Sequence, residues 1–170
     1  MAKPAEPPAQ DLHVANRQRT RGVNLRFLAQ VLRRLLGLRL PRTPVDFTIH
    51  LVGPAEMARR NQAHLGHEGP TDVITLDYAG AAPAPAGGAV TGEAFICVAV
   101  AVTQAAEFGV AWECELVRYC VHALLHLQGF DDLSPAPRRR MKAAENRLVH
   151  RLAREFDLSQ VGREPTLPRE

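Results

Sequence analysis

The sequence has few cysteines, no long apolar run and no apolar segment near its start. Its three cysteines, Cys97, Cys114 and Cys120, are an odd number without a CxxC pair, which favours reduced thiols in a cytoplasmic protein over a disulfide framework. No stretch of about eighteen or more apolar residues occurs, so no membrane span is predicted. The opening "MAKPAEPPAQDL" does not have the apolar core of a secretory signal. We therefore expect a cytoplasmic protein without a membrane partner, and one domain from 170 residues.

Acidic residues are absent between Asp11 and Asp46, where arginines are dense. The arginines of this segment are Arg17, Arg19, Arg21, Arg26, Arg33, Arg34, Arg39 and Arg42. A second basic cluster consists of Arg138, Arg139, Arg140 and Lys142. Such patches suit a polyanion such as RNA. A surface that only keeps the protein in solution would have the same composition, so charge alone leaves both interpretations open.

Hydrophobic periodicity predicts strands and helices in alternation. The predicted strands are residues 12–19, 45–52, 71–78 and 93–100. The predicted helices are residues 24–37, 53–65, 101–109 and 112–128, and a last helix that starts at residue 134. Asn24 is the expected N-cap of the first helix. This order indicates an α/β-type sandwich, a small sheet with helices packed against it.

Two tails and one internal segment have no such pattern. Residues 1–10 and 158–170 are expected to be disordered tails on either side of one folded domain, residues 11–157. The stretch "AGAAPAPAGGAVTG", residues 79–92, predicts a flexible loop. Such a loop would act as a lid if it lay beside a binding groove.

Two histidines four residues apart stand in the stretch "VHALLHLQGFDD". Apolar residues surround them on more than one face, which predicts a buried central helix. The spacing places His122 and His126 about 6 Å apart along one side of that helix, where both can bind one metal ion, typically zinc. Gly129 can end the helix and turn Asp131 or Asp132 back toward the histidines. Three ligands would then leave an open fourth position, which is typical of a catalytic site.

The histidine pair has two other interpretations. Many such pairs in helices only form hydrogen bonds. A zinc protease would carry glutamate directly after the first histidine as its general base. That position is Ala123, which argues against a protease.

The stretch "HALLHLQGFDD" resembles the signature HGxLHLxGYDH of the YbeY family, bacterial endoribonucleases that mature ribosomal RNA. Two more segments are similar to the family in the same order. "GPTDVITLDY" resembles its RPTDVLSFxF strand, and "TGEAFICVAVAVTQAAEFG" resembles its strand-to-helix passage. The resemblance covers residues 45–156. It implies an α/β (α+β) fold with a small, mixed, mostly parallel sheet of about four strands packed by about five helices. The metal site would lie on the central helix and the turn after it.

The resemblance also implies chemistry and partners. The family binds one divalent ion, usually taken as zinc, through three histidines and cleaves single-stranded RNA. It acts on the 3′ end of the small-subunit ribosomal RNA and in ribosome quality control. The implied partners are single-stranded ribosomal RNA and the small ribosomal subunit or its proteins, with no DNA. Carried onto this sequence, the first two ligands, also the catalytic residues, are His122 and His126.

The third ligand departs from the family. The last histidine of the signature is Asp132 here. A carboxylate is a harder ligand, which makes the ion a weaker Lewis acid and admits other divalent metals as well. Asp131 matches the aspartate of the family signature. It either orients a ligand from outside the metal's coordination sphere or accepts backbone N–H bonds in the turn.

An arginine that the family carries before its RPTDVLSFxF strand is also missing, because its position is Leu65. His64 and His67 are the polar groups left nearby, as candidates for contact with RNA phosphates or as solvated loop residues. Arg118, four residues before the first histidine, is a further candidate for phosphate contact or a partner of Glu115.

The sequence thus supports metal-assisted hydrolysis of RNA, with either water or the ribose 2′-hydroxyl as the nucleophile. The main alternative is a non-catalytic ribosome-assembly factor with a structural metal site, which the loss of the family's arginine and third histidine favours. A metallohydrolase of small esters is a weaker alternative, since the basic patches would then have no role.

Overall fold

The computed structural model describes residues 6–79 and 88–162. Its strands are β1 (Gln10–Asn16), β2 (Val45–Val52), β3 (Val73–Asp77) and β4 (Val90–Cys97). Its helices are α1 (Leu25–Arg39), α2 (Pro54–Leu65), α3 (Val98–Phe108), α4 (Trp112–Leu127) and α5 (Pro135–Glu155), followed by a short 3₁₀ helix (Leu158–Gly162). The centre of the predicted loop, residues 80–87, and the end of the predicted tail, residues 163–170, lie outside the described residues.

The four strands form one sheet in the order β1-β2-β4-β3. β1, β2 and β4 run parallel, and β3 pairs with β4 in the antiparallel direction. Alternating side chains of β2, such as Phe47, Ile49 and Leu51, are buried in the main core, as a strand covered by helices requires. The expected fold of a mixed, mostly parallel sheet with five helices is confirmed.

Helix α4 lies at the centre of the molecule. It contacts β3, β4, α1, α3, α5 and the 3₁₀ helix, and ten of its side chains are buried. Full burial of a leucine such as Leu116 or Leu124 contributes about 1.5–3 kcal/mol, so packing rather than intrinsic propensity fixes this helix. The predicted buried central helix is confirmed. None of the helices in the described part of the chain is both long enough and apolar enough to cross a bilayer.

The glycine-rich segment before β4 differs from the prediction. Residues 90–92 belong to the strand and pair with residues 45–47 of β2, whereas the whole of residues 79–92 was expected to be a loop. Gly92 explains the difference. A Cβ atom at this position would lie 2.5 Å from the carbonyl oxygen of Leu76 and 2.6 Å from Cδ2 of Leu127. Glycine is therefore present because strand β3 and helix α4 approach the backbone closely.

The predicted ends of the folded region are also wrong by a few residues. β1 starts at Gln10, inside the expected tail, and ends at Asn16 rather than at residue 19. Leu158 and Val161 of the 3₁₀ helix are buried, although residues 158–170 were expected to be disordered. The carbonyl of Val161 accepts a hydrogen bond from the backbone N–H of Asn24 at 2.8 Å. The side chain of Asn24 caps α1 as predicted, so this contact joins the end of the domain to the start of its first helix.

Substitution of Gly92 by alanine is expected to destabilise the fold. The added methyl group must displace backbone or a buried leucine, which costs about 1–3 kcal/mol by overpacking. The measurement is the free energy of unfolding from urea denaturation. Gly37→Ala is the matched control, because Gly37 lies exposed in α1 with nothing within 4 Å of its Cβ position. That variant should gain about 0.5–1 kcal/mol. Equal stability of the two variants would contradict the close approach at Gly92.

Candidate metal centre

The exposed stripe of helix α4 carries both histidines of the sequence motif. Between residues 115 and 127 only Arg118, His122 and His126 are not buried, and their spacing of four places them on one face. The two imidazole rings meet edge to face, with centroids 4.6 Å apart and an interplanar angle of 82°. Their Nε2 atoms lie 3.1 Å apart. About three-quarters of each histidine side chain is covered by the protein. The rings are therefore fixed by packing but remain partly accessible to solvent.

The turn after α4 brings a carboxylate to the same point. Gly129 adopts a φ of 91°, and the N–H of Phe130 bonds back to the carbonyl of Leu125 at 3.0 Å. This is the left-handed helix end that the sequence predicts. Oδ2 of Asp132 then lies 3.6 Å from Nε2 of His122 and 3.7 Å from Nε2 of His126. One ligand atom from each of these three residues lies within 4.8 Å of the others.

The hydrogen bonds of the two imidazoles set which nitrogen faces the site. Nδ1 of His122 lies 3.0 Å from Oε2 of Glu145, and Nδ1 of His126 lies 3.1 Å from the carbonyl oxygen of Phe130. Both partners can only accept, so each Nδ1 carries the proton and each Nε2 presents its lone pair. Two lone pairs and a carboxylate oxygen then face one another. A cation between them turns this repulsion into attraction, so the donor set fits a divalent metal.

Glu145 on helix α5 is the residue that sequence analysis missed. Its side chain is 5% exposed and accepts hydrogen bonds from His122, from Nη1 of Arg118 at 2.8 Å and from Nζ of Lys142 at 3.0 Å. Burial raises the pKa of this carboxyl group, but the three hydrogen bonds outweigh it and lower the pKa to about 2. Glu145 is therefore ionised at neutral pH. The sequence did contain an indication of this residue. Glu145 lies four residues after the buried Met141, on the face of α5 that is otherwise apolar.

Two concave regions adjoin His122. One, of about 240 Å³, lies between α4 and α5, and its lining includes Asp72, Arg118, Tyr119, Asp132, Arg138, Lys142 and Glu145. The other, of about 280 Å³, runs along the edge strand and is lined by Val73, Thr75, Asp77, His122, His126 and Leu127. His122 therefore lines both concavities, and His126 lines the second.

The first cavity contains buried polar groups besides Glu145. Glu115 is 5% exposed, and burial raises the pKa of its carboxyl group. The hydroxyl of Tyr119 donates to the side-chain oxygen of Gln104, and burial raises the pKa of this phenol. Tyr119 therefore stays protonated at neutral pH and acts as a hydrogen-bond donor.

The remaining candidates of the sequence analysis lie in different places. Oδ1 of Asp131 accepts a hydrogen bond from the backbone N–H of Leu133 at 2.9 Å. This is one of the two roles expected for Asp131, a hydrogen bond within the turn. Arg118 lines the first cavity, but its guanidinium group contacts Glu145 and also lies 3.7 Å from Glu115. The expected pairing of Arg118 with Glu115 is thus present, alongside a closer pair with Glu145, and its contact with RNA phosphate stays a prediction.

The structure does not bring His64 and His67 to the metal cluster. Both side chains are exposed, at the end of α2 and in the turn after it. Neither lines the two concavities next to His122. Leu65, at the position of the family's arginine, is 53% exposed, so this position does not supply a cation.

Comparison with known proteins places the chain in a family. The family model described as Endoribonuclease YbeY matches residues 13–153. An Endoribonuclease YbeY of Chlorobium luteolum is 40% identical over 101 residues, which is 59% of this chain and 69% of that protein. Another, of Chlorobaculum tepidum, is 34% identical over 132 residues, or 78% of this chain and 91% of that protein.

A solved structure shares the fold. The solution structure of a Thermotoga maritima protein matches with a TM-score of 0.61 at 22% sequence identity, and the match covers 93% of this chain and 99% of that one. The family-model match includes helix α4 with both histidines and the turn that carries Asp132. The chain belongs to the YbeY family of endoribonucleases.

Proposed function

We propose that this protein is a metal-dependent endoribonuclease that cleaves single-stranded RNA. It would act in maturation of the 3′ end of the small-subunit ribosomal RNA and in ribosome quality control, with the small ribosomal subunit or its proteins as partners. The observation that carries the proposal is the convergence of two oriented imidazoles and one carboxylate at the family's signature. We place the activity in the cytoplasm, where the three free cysteines stay reduced.

The proposed ion is one zinc per chain, held by His122, His126 and Asp132. Two imidazole nitrogens and one carboxylate oxygen make a common catalytic set of three zinc ligands, with a fourth position open. The carboxylate widens the choice of metal, because oxygen ligands also suit manganese and magnesium.

The residues of the chain would orient the ion and hold the RNA. A divalent ion in this position supplies Lewis acidity that polarises a phosphoryl oxygen or activates the attacking hydroxyl. Glu145 fixes the ring of His122 and increases the basicity of its Nε2. Arg138 and Lys142 line the cavity beside Asp132, where their charges would attract the phosphate backbone without reading the bases.

The nucleophile can be identified from the cleavage products. Attack by water breaks the phosphodiester bond to give a phosphate monoester and a free hydroxyl. Attack by the neighbouring 2′-hydroxyl forms a new bond to phosphorus, expels the 5′ oxygen of the next nucleotide and leaves a 2′,3′-cyclic phosphate. Mass spectrometry of the fragments distinguishes the two routes.

The alternative function is a ribosome-assembly factor in which the metal is structural. Two observations favour it. Leu65 replaces the family's arginine on an exposed surface, and Arg118 already pairs with buried carboxylates. This alternative predicts metal binding and association with the ribosome without RNA cleavage.

Removal of the Asp132 carboxylate is expected to weaken metal binding sharply. Untagged wild-type protein should hold close to one zinc per chain by elemental analysis, and Asp132→Ala should lose most of it, because two imidazoles alone bind the ion weakly. Asp131→Asn is the matched control, since it lies in the same turn and an asparagine oxygen can still accept the Leu133 N–H. Full metal content in Asp132→Ala would show that Asp132 is not the third ligand.

Substitution of His122 by alanine is expected to abolish cleavage of single-stranded RNA. The loss should be at least about a hundredfold in kcat/KM, the usual scale for a lost catalytic group. Circular dichroism should confirm that the variant folds. His13→Ala is the control, because His13 is exposed on β1 and should leave the rate unchanged. Equal cleavage by His122→Ala would trace the activity to a contaminating nuclease and favour the assembly factor.

Replacement of Glu145 by glutamine is expected to lower zinc affinity by about 10- to 100-fold, the usual effect of losing an orienting carboxylate behind a ligand. Competition with a chromogenic chelator measures the dissociation constant. Glu155→Gln is the control on the same helix, because Glu155 pairs with Arg34 and Arg151. It should not change the affinity. Equal zinc affinity in the two variants would mean that Glu145 does not orient His122.

A further inference from the structure

A second concave surface lies between the end of helix α1 and helix α5. This groove has a volume of about 490 Å³ and is lined by Leu38, Arg39, Ala144, Arg147, Leu148, His150, Arg151 and Arg154. Four of these residues are arginines, and no carboxylate lines the groove in the described part of the chain. The groove is therefore the most basic of the concavities described above, and it is separate from the two that adjoin His122.

The arginines of the groove are largely free to bind an anion. Among the described residues, Arg147 and Arg154 are exposed and have no carboxylate or hydrogen-bond partner. Arg39 donates to the neutral amide oxygen of Gln128 at 3.0 Å. Only Arg151 pairs with an acidic residue, Glu155. Three of the four charges thus have no carboxylate partner within residues 6–79 and 88–162.

The spacing of these side chains suits an extended polyanion. Arg147, Arg151 and Arg154 occupy one face of α5 at intervals of four and three residues, so they follow one another at about 6 and 4.5 Å along the axis. Leu38, Ala144 and Leu148 form an apolar floor between the two helices. Attraction to the carboxyl end of the helix dipole explains a basic residue such as Arg154. It does not explain Arg147, two turns earlier, or Arg39 on the other helix.

One residue of the groove, Arg39, contacts the turn that carries Asp132. The guanidinium group of Arg39 lies over the ring of Phe130, 5.6 Å from its centroid. The carbonyl of Phe130 in turn accepts the Nδ1 proton of His126. One end of the groove, at Arg39, therefore lies close to the turn between α4 and α5, two residues before Asp132.

We propose that the α1–α5 groove binds the phosphate backbone of the RNA substrate at a distance from the scissile bond, through Arg39, Arg147, Arg151 and Arg154. This inference rests on the proposed function for the identity of the polyanion. It assigns the groove to recognition of a longer RNA segment by charge alone, without contact to base edges. Such contacts increase affinity and salt dependence but do not take part in the chemistry.

The first test measures equilibrium binding of a labelled single-stranded RNA by fluorescence anisotropy at several salt concentrations. The proteins carry His122→Ala so that the RNA is not consumed. Arg147→Gln and Arg154→Gln should each weaken binding several-fold and reduce the slope of log K against log salt by about 0.7, the value for one lost phosphate contact on a single strand. Neither variant removes a contact that stabilises the fold, which circular dichroism should confirm.

Arg59→Gln is the matched control, because it removes the same charge from an exposed residue of α2 outside the groove. It should change neither the affinity nor the slope. An equal loss in all three variants would mean that net charge alone is responsible, and no loss in the groove variants would show that RNA does not bind there. Either result overturns the proposal.

The second test uses cleavage by the metal-loaded protein without the His122 substitution. Arg147→Gln/Arg154→Gln should raise KM several-fold for a long RNA and leave kcat unchanged. For an oligonucleotide too short to reach the groove from the metal site, both constants should be unchanged. A fall in kcat, or the same rise in KM with the short RNA, would contradict a binding site away from the scissile bond. Because the first test needs no cleavage, failure of the nuclease proposal and failure of the groove proposal give different results.

Discussion

The burial of helix α4 is the constraint on which the rest of the structure depends. The sheet, three other helices and the 3₁₀ helix cover it, so that from residue 115 to residue 127 only one stripe of three side chains stays open. A helix packed on this many sides cannot rotate or slide without opening cavities in a close-packed core. The partly exposed side of the helix therefore has a fixed position, and so do the two imidazoles that it carries. Gly92 allows this packing, because the absence of a side chain lets Leu127 lie directly against the sheet.

The buried charge of Glu145 follows from the same packing. An isolated carboxylate in the core would be strongly destabilising, but Glu145 accepts hydrogen bonds from His122, Arg118 and Lys142. This network joins α5 to the open stripe of α4 and determines which nitrogen of His122 faces the metal site. It also explains why Arg118 points toward the cavity without being free for a substrate. Arg138, at the start of α5, lines the cavity and has no carboxylate partner in the described part of the chain; its Nε donates to the backbone carbonyl of Asp132 at 2.9 Å.

Helix α5 thus has two roles on opposite sides. Its buried side presents Glu145 to the histidine and Met141 to the core. Its exposed side presents a row of arginines to the groove that it forms with α1. A helix with so many cations is stable here because its apolar positions, among them Ala144, Val149 and Leu152, are buried and the charges face water. If both proposals hold, the same element orients His122 and attracts the RNA.

Features that depend on residues close together in the chain could be predicted from the sequence. The strands and helices follow from local periodicity, the cap at Asn24 from a single side chain, and the His122–His126 pair with the turn at Gly129 from helical geometry. The composition of residues 90–92 predicted a loop, and this prediction was wrong. Gly92 lies in a strand, where close contacts with Leu76 and Leu127 leave no room for a side chain. The prediction was also wrong for the 3₁₀ helix, which is too short to show a period. From the residues alone either Asp131 or Asp132 could return to the imidazoles, and the family resemblance indicated Asp132. The three-dimensional packing was needed to show that Asp132 lies beside both rings while Asp131 bonds within the turn. The contact of Glu145 with the ring of His122, 23 residues earlier, had not been predicted. The groove between α1 and α5 likewise depends on how these two helices pack. These features join residues far apart in the chain, and their distances are set by how the helices pack on the sheet, which no local pattern encodes.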